Sequence, residues 1–363
     1  MKELMTNPIA EGFRMPGEFE EHEATLILWP ERADNWRNGG KPAQEIFAKL
    51  ANQISLYEKV YVGVNDRQYA NARSLLDDSV TLLEISNDDS WVRDCGPTFV
   101  KNDEGVIRGV NWGFNAWGGL VDGLYFPWDK DQMVCPKFCE ALGKDYYNLE
   151  EFILEGGSIH VDGEGTLITT KACLLSEGRN PDLTQEQIEE ILKRTLNLEK
   201  IIWLENGIYL DETNEHVDNI IHYVAPGEIV LSWTDDEDDP QYELSKAAYD
   251  VLANETDAKG RKLKIHKMML PTPILITEEE SRGVDSIKGT LPRLEGDRLA
   301  ASYANFYIAN GSVFVPQFDD PNDVLAIELI SEIFPDRVVV PIYAREILLG
   351  GGNIHCITQQ VPK

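Results

Sequence analysis

Short apolar segments alternate with longer segments of helical periodicity along the whole chain. The short segments are rich in Val, Ile, Leu and aromatic residues, a composition typical of strands. They lie at 24–29, 59–64, 80–85, 200–204, 219–224, 262–268 and 312–316. Their number and spacing predict a protein in which strands occur from one end of the chain to the other.

Segments in which apolar residues recur every three or four positions predict helices. They lie at 42–58, 184–196 and 320–334. Pro42 occupies a first-turn position, where its missing N–H group is no loss. Thr184 and Gln187 have the spacing of a capping box, which marks the start of a helix. Because strands and helices alternate, the sequence predicts an α/β fold.

The chain shows no Pro- or Ser-rich spacer, so we expect a single domain over residues 1–363. Two short motifs occur twice. GGSIH at 156–160 returns as GGNIH at 351–355, and HVD occurs at 160–162 and 216–218. Chance can produce such repeated motifs, but a pseudo-symmetric fold would place them at equivalent points around a shared centre.

The net charge of the chain narrows the classes of molecule that the protein is expected to bind. The formal net charge is −30, from 33 Lys and Arg against 63 Asp and Glu. Such a field repels nucleic acid phosphates and attracts cationic small molecules, although solubility alone would also explain it. No segment has the length of a membrane span or the character of a secretory signal, so we expect neither membrane nor nucleic-acid partners.

Cysteine usage indicates a reducing compartment. The five cysteines form an odd set, and the pair Cys135 and Cys139 has no second pair to complete a zinc site. The six histidines are scattered, so we expect no metal. A reduced protein of this kind is expected in the cytoplasm.

The candidate nucleophile is Cys356, which follows the glycine run 350–352. Glycines let a backbone approach a ligand closely, whereas an arbitrary cysteine is usually an inert buried residue of a strand. A nucleophilic cysteine needs a base. His355 adjoins Cys356 and would point to the opposite face of a strand. His216 and His160 are each followed two residues later by an aspartate, which in a strand would share the face of the histidine. Spacing alone therefore does not choose between them.

Two further acidic residues have unusual neighbours. Asp94 lies in WVRDCGP, where it could simply cap its own turn. Glu155 comes directly before a glycine pair, where a lone glutamate is usually solvated. Neither residue has a role that its local sequence decides.

Taken together, the motifs resemble the agmatine deiminases of the pentein, or guanidino-group-modifying, superfamily. The matching segments are GFRMPGEFE (12–20), WPER (29–32), WVRDCGP (91–97), FNAWGG (114–119), EGGSIHVDGEGT (155–166), LLSEGRNP (174–181) and GGGNIHCITQQ (350–360). The resemblance implies a five-bladed α/β propeller of ββαβ modules with pseudo-five-fold symmetry around a polar pocket. That architecture fits the repeated motifs.

The resemblance also implies catalytic roles. Cys356 would be the nucleophile and His216 the general acid and base. Glu155 would orient His216, while Asp94 and Asp218 would hold a guanidinium. His160 and Asp162 would then be structural.

Substrate contacts follow from the same resemblance. Trp91 would cover the methylene chain of the substrate, Trp117 would also contact it, and Glu212 would bind the amine end. The sequence departs from the family at Glu215, where the family has glycine before the catalytic histidine. Glu215 could face the pocket or solvent.

The activity that the resemblance implies is hydrolysis of agmatine to N-carbamoylputrescine and ammonia through a covalent amidino-cysteine, with no cofactor. A homo-oligomer in polyamine metabolism is also implied. Three alternatives stay open: a deiminase of free or peptidyl arginine, an amidinotransferase, and a non-catalytic polyamine-binding protein, which the intact catalytic set disfavours.

Overall fold

Seventeen strands and twelve helices build the chain in a computed structural model that describes all 363 residues. The strands are β1 (Glu3–Leu4), β2 (His22–Leu28), β3 (Lys59–Val64), β4 (Val80–Glu84), β5 (Thr98–Lys101), β6 (Ile107–Gly113), β7 (Tyr146–Ile153), β8 (His160–Val161), β9 (Thr166–Thr170), β10 (Lys200–Leu204), β11 (Ile221–Ala225), β12 (Glu228–Trp233), β13 (Lys264–Met269), β14 (Tyr307–Ala309), β15 (Ser312–Gln317), β16 (Val338–Tyr343) and β17 (Gln359–Pro362). The helices are α1 (Lys41–Ile54), α2 (Tyr69–Leu75), α3 (Val92–Cys95), α4 (Gly119–Asp122), α5 (Asp129–Gln132), α6 (Val134–Ala141), α7 (Lys171–Leu174), α8 (Gln185–Leu196), α9 (Pro240–Asn254), α10 (Glu278–Arg282), α11 (Asp323–Ile333) and α12 (Arg345–Leu349). The predicted α/β class is confirmed.

The predicted elements are found close to their expected bounds. The segments 24–29, 59–64 and 80–85 are the neighbouring strands β2, β3 and β4. Helix α8 begins after Thr184, whose hydroxyl accepts from the Gln187 N–H while the Gln187 side chain accepts from the Thr184 N–H. The predicted capping box is therefore confirmed.

The strands form five separate sheets, and the five share one connection pattern. In each sheet an antiparallel pair is followed by helix and then by a strand parallel to the second member of the pair. The pairs are β5–β6, β8–β9, β11–β12, β14–β15 and β17–β2, and the following parallel strands are β7, β10, β13, β16 and β3. The expected internal repeat is therefore present as a ββαβ unit.

The fifth sheet is completed by two distant parts of the chain. Strand β17 pairs antiparallel with β2, so that Gln359 lies opposite Leu26. Strand β3 then adds in parallel, and β4 extends the sheet beyond it.

Apolar faces of the helices cover the sheets. Helix α1 buries Phe47, Leu50 and Ile54 in the largest apolar cluster, together with side chains from β2, β3 and β15. Helices α8 and α9 bury their apolar residues in two further clusters, against β9 and β12. Burial of these faces fixes each helix on its sheet and leaves the turns between elements to carry polar side chains.

A short turn precedes the first strand named in each antiparallel pair. The turns are 92–95, 156–158, 217–219, 303–304 and 354–357. The two GG-containing repeats do not occupy equivalent places, because Gly156 and Gly157 form the turn before β8 whereas Gly351 and Gly352 precede the turn before β17. The HVD repeats are not equivalent either, since His160 begins β8 whereas His216 precedes a turn.

Helices are short throughout the fold. None of them combines the length and the apolar character that crossing a bilayer requires.

Candidate active site

Residues in or directly after the five turns meet at one place. The turns supply Asp94, Gly157, Asp218 and Cys356, and Asn305 directly follows the fourth turn. The sequence-based argument for the pairing of His216 with Asp218 assumed a strand, and that premise was wrong. His216 precedes the helical turn Val217–Asn219, and the turn rather than strand alternation brings both side chains to the site.

Gly157 lies where three functional side chains converge. A Cβ atom on it would stand 2.6 Å from His216 Nδ1, 2.9 Å from Asp94 Oδ1 and 3.0 Å from Asp218 Oδ2. Such distances leave no room for a side chain. The glycine therefore allows an imidazole and two carboxylates to approach one another closely.

Cys356 lies in the turn before β17 and is 6% exposed. Its Sγ is 3.9 Å from Asp218 Oδ2 and 3.3 Å from Asn305 Nδ2. Burial raises the pKa of the Cys356 thiol well above its usual value, and the charges of Asp218 and Asp94 raise it further. Without a cationic neighbour the thiol therefore stays protonated.

The glycine run packs against the walls of the site. Gly351 has a φ of 107°, and a Cβ there would clash with the Glu212 carboxylate. A Cβ on Gly352 would clash with the Trp91 ring. These close approaches are the reason that glycines precede the cysteine.

His216 is buried between two acidic residues. Its Nδ1 is 3.9 Å from Asp94 Oδ1, and its Nε2 is 3.6 Å from Glu155 Oε2. Burial opposes a charged imidazole, but the negative charge of Asp94, together with the nearby Cys173 and Glu155, raises the pKa of His216 well above its usual value. The ring can therefore carry a proton at neutral pH.

Glu155 is not solvated, because it is fully buried and paired with Arg179. Arg179 Nε lies 2.9 Å from Glu155 Oε1, and neither side chain is exposed. Burial alone would raise the pKa of Glu155, but the charge of Arg179 lowers it below its usual value. Glu155 is therefore an anion held beside His216.

Asp94 accepts two hydrogen bonds and does not cap its own turn. Gly157 N–H donates to Oδ1 and Trp117 Nε1 donates to Oδ2, each at 2.9 Å. Burial raises the pKa of Asp94 to about 6, with a smaller opposing effect from the charge of His216.

Asp218 is held differently. His355 Nδ1 lies 2.7 Å from its Oδ2, whereas its Oδ1 is buried without a hydrogen-bond partner. Burial would raise the pKa of Asp218, but the hydrogen bond and charge of His355 lower it below its usual value. One carboxylate oxygen is thus satisfied and the other is available.

A cleft of about 520 Å³ opens onto the site. Trp91 and Trp117 form part of its wall, with their rings 6.3 Å apart and nearly perpendicular. Glu212 lies in the wall as expected, but Arg293 binds its carboxylate through both terminal nitrogens. Arg293 is itself a wall residue. The amine-end residue predicted from sequence therefore has a cationic partner that the sequence did not reveal.

Glu215 neither lines the cleft nor faces solvent freely. Its Oε2 accepts from the Gly207 N–H at 2.8 Å, and the residue is half-buried. Its φ is 66°, in the left-handed region that favours glycine. The position therefore demands an unusual backbone, which a glycine adopts without strain.

Replacing Glu215 by glycine is expected to leave kcat/KM within about twofold. Relief of the left-handed strain, about 1–2 kcal/mol, offsets the lost side-chain hydrogen bond and the greater flexibility of glycine. The melting temperatures of wild type and Glu215→Gly should be similar. The melting temperature of Glu215→Ala should be lower, because alanine keeps the backbone strain and loses the side-chain hydrogen bond. A tenfold change in kcat/KM would instead show that Glu215 influences substrate binding.

Two groups bring metal-ligating atoms within 4.8 Å of one another, namely His160, His222 and His355, and Glu155, Cys173 and His216. In the first group both nitrogens of His355 contact carboxylates, and the rings of His160 and His355 stack rather than converge. In the second group Glu155 is bound by Arg179. These contacts favour polar networks over ion sites.

Sequence reasoning missed Asn305, Arg179 and Arg293. Asn305 bridges Cys356 and the turn of Asp218, and its place after the fourth turn is the signal that could have found it. Arg179 lies in the LLSEGRNP segment that the resemblance had already singled out. Arg293 has no local signal, because only the folded chain brings it to Glu212.

Comparison with known proteins identifies the family of the chain. The model of the Porphyromonas-type peptidyl-arginine deiminase family matches residues 14–362. The chain belongs to that family. Within the Porphyromonas-type peptidyl-arginine deiminase family, the expected resemblance to the agmatine deiminases of the pentein superfamily is confirmed by the relatives.

An agmatine deiminase of Pseudomonas aeruginosa is 56% identical, over 100% of this chain and 99% of the relative. A Latilactobacillus sakei protein is 65% identical, over 100% of this chain and 99% of the relative. It carries the agmatine deiminase name provisionally. The solved structure of an agmatine deiminase of Enterococcus faecalis, described as catalysing its reaction, superposes with a TM-score of 0.98. It has 52% identity and covers 100% of both chains.

Proposed function

We propose that this protein is an agmatine deiminase, which hydrolyses agmatine to N-carbamoylputrescine and ammonia. The observation that carries the proposal is a buried cysteine thiol set beside two carboxylates, Asp94 and Asp218, and an imidazole. The names of the full-length relatives support agmatine as the substrate.

The guanidinium is seated by the two carboxylates. It is planar and always charged, and its N–H groups match carboxylate oxygens in paired, charge-assisted hydrogen bonds. The free Oδ1 of Asp218 and the carboxylate of Asp94 offer such acceptors, and both side chains lie close to Gly157. Seating the cation also offsets the charges that keep the Cys356 thiol protonated, so substrate binding promotes formation of the thiolate.

The reaction then has two halves. The Cys356 thiolate adds to the guanidinium carbon, forming a C–S bond, and His216 protonates the departing nitrogen, which leaves as ammonia. The enzyme now holds an S-alkylamidino-cysteine, and His216 is neutral. A water then loses a proton to His216 and adds to the same carbon. The C–S bond breaks to return the thiolate, and the hydroxyl proton of the adduct passes to solvent or to the released ammonia as the ureido product leaves.

Glu155 and Arg179 support the imidazole in this scheme. Glu155 faces His216 Nε2 and stays ionised beside Arg179. A fixed anion favours the protonated ring that the first half requires. No metal or organic cofactor enters the scheme.

The architecture proposed for this chemistry is a pentein propeller. The five ββαβ sheets would be its blades, arranged with pseudo-five-fold symmetry, and residues 1–363 would form one domain. Support comes from the shared connection pattern and from the five turns that supply one site.

Cytoplasmic location and a homo-oligomeric state complete the proposal. All five cysteines are free and buried, which supports a reducing compartment. The homo-oligomer rests on the family resemblance alone.

Glu212 is the proposed acceptor for the amine end of agmatine. Glu212→Gln is expected to lower kcat/KM for agmatine more than tenfold, equivalent to about 1.4 kcal/mol of transition-state binding. Part of that loss could come from Arg293, which the substitution leaves as an unpaired buried cation. Initial rates should therefore be compared for Glu212→Gln, Arg293→Gln and the double variant. A double variant that stays impaired supports amine binding, whereas full recovery would show that Glu212 only neutralises Arg293.

Arg293 gives a second candidate function a physical basis. A guanidinium in the cleft wall could bind the carboxylate of free arginine or of a peptide, as the family name suggests. The Glu212 carboxylate already occupies that guanidinium, so agmatine remains the favoured substrate.

The deciding experiment measures ammonia release from agmatine, free arginine and a peptidyl-arginine side by side. Agmatine should have the highest kcat/KM. Equal or greater efficiency with free or peptidyl arginine would replace the proposed function by the second candidate. Adding an amine acceptor and finding transfer in place of hydrolysis would indicate an amidinotransferase.

A further inference from the structure

His355 links the site to a buried polar network on its far side. Its Nδ1 lies 2.7 Å from Asp218 Oδ2 and its Nε2 lies 2.9 Å from Glu18 Oε2. The backbone N–H of His355 donates to Asn305 Oδ1 at 2.9 Å, which holds the backbone of His355 in place. The side chains of Glu18, Asp218 and His355 are all buried.

The contacts decide the protonation of the ring. Carboxylates accept hydrogen bonds and donate none when ionised, so both imidazole nitrogens must carry hydrogen. Glu18 is kept ionised by Arg93, whose Nη2 lies 2.9 Å from Oε2, and by the Ile308 N–H, 2.9 Å from Oε1. His355 is therefore an imidazolium between two anions.

The other neighbours of His355 do not change that assignment. Arg93 Nε donates to the His355 carbonyl and its charge opposes a cationic ring, while the rings of His160 and His222 lie 5.4 and 5.1 Å away. Burial lowers the pKa of both of those histidines, so they stay neutral. The charges of Glu18 and Asp218 outweigh burial and Arg93, and the pKa of His355 is raised.

The two guanidinium-binding carboxylates therefore differ in their support. Asp94 is held by an amide N–H and an indole N–H, both neutral donors. Asp218 is held by a cation that takes one oxygen and leaves the other unpartnered. A carboxylate fixed in this way presents its free oxygen in one orientation.

We infer that His355, braced by Glu18, is a positioning residue that holds Asp218 ionised and aims its free oxygen at the guanidinium. This inference rests on the proposed function only for the identity of the group that Asp218 binds. His355 acts through Asp218 and takes no part in proton transfer, because neither of its nitrogens faces the cleft.

Two substitutions separate the parts of this arrangement. His355→Asn puts an amide N–H near the place of Nδ1, so it keeps a neutral donor to Asp218 and loses the charge and the Glu18 contact. His355→Gln reaches toward Glu18 and loses the donor to Asp218. His160→Asn is the matched control, since His160 lies in the same buried cluster and forms no hydrogen bond or ion pair with Asp218 or Glu18.

The readout is the rate of Cys356 alkylation by 2-chloroacetamidine, a cation shaped like half of a guanidinium, relative to neutral 2-chloroacetamide. The ratio reports amidinium recognition and does not depend on turnover of any substrate. We expect the ratio to fall about tenfold or more in His355→Gln, since a charged hydrogen bond is lost, and less in His355→Asn. His160→Asn should leave the ratio unchanged. In an Asp218→Asn background, His355→Asn should change the ratio no further.

Three results would overturn the inference. One is a ratio that stays at the wild-type value in both His355 variants while their melting temperatures fall, which would make His355 purely structural. Another is an equal fall of the ratio in His160→Asn. The third is a further fall in the Asp218→Asn background. Should His355→Gln fail to fold, the Asn variant alone carries the test. A wild type that releases no ammonia from agmatine but shows these ratios would refute the proposed function and leave this inference standing.

Discussion

Replacing Cys356 by serine is expected to abolish turnover of agmatine while leaving the fold intact. Serine is nearly isosteric with cysteine, and the site offers Asn305 as a hydrogen-bond partner for its hydroxyl. A serine alkoxide is far less accessible than a thiolate near neutral pH, and the charges of Asp218 and Asp94 disfavour any anion at this position. Ammonia release should fall below detection, and the melting temperature should stay near that of wild type.

Mass spectrometry supplies the direct check on the nucleophile. Wild-type enzyme quenched during turnover should carry the substrate-derived amidino group on Cys356. Cys95 and Cys173 are also buried near the site and act as internal controls. An adduct on either of them, or residual turnover in Cys356→Ser, would contradict the assignment.

Replacing His216 by alanine is expected to lower kcat by more than the loss of a single proton transfer would, which is roughly 10²-fold to 10⁴-fold. The same ring serves both halves of the reaction, so its loss affects ammonia release and hydrolysis of the intermediate. Rapid-quench measurement should show neither an ammonia burst nor an accumulated adduct.

His160→Ala is the matched control for His216→Ala. His160 is equally buried but lies among the rings of His222 and His355, away from the cleft wall. Its truncation should leave a cavity and reduce stability, with a much smaller effect on kcat. If His160→Ala lost turnover and His216→Ala lost only stability, the acid and base role would belong to His160.

The elements of this fold were readable from sequence because their signals are local. Helix α8 follows from the spacing of Thr184, Gln187 and its apolar face, and β3 follows from a run of β-branched residues. The grouping of strands into five sheets depends on pairings such as Gln359 with Leu26, for which no local pattern exists.

The candidate site could be predicted from the sequence less completely than the secondary structure. Spacing alone left His216 and His160 equivalent, and only the family resemblance separated them. Their environments differ through partners that come from distant turns, such as Asp94 for His216 and His355 for His160. The strain at Glu215 is likewise a property of backbone angles, which the identity of the residue does not disclose.

The pairing of β17 with β2 has a consequence for the order in which the enzyme becomes competent. Cys356 lies three positions before the strand that seals the fifth sheet, whereas Asp94, Glu155, His216 and Asp218 belong to units formed by earlier residues. During synthesis, the carboxylates and the imidazole are all present before the thiol. The last strand has to meet residues more than three hundred positions away, and contacts of such separation form slowly. A chain still emerging from the ribosome can therefore assemble an acidic cleft for a cation, but it acquires its reactive sulfur only when the two distant strands join.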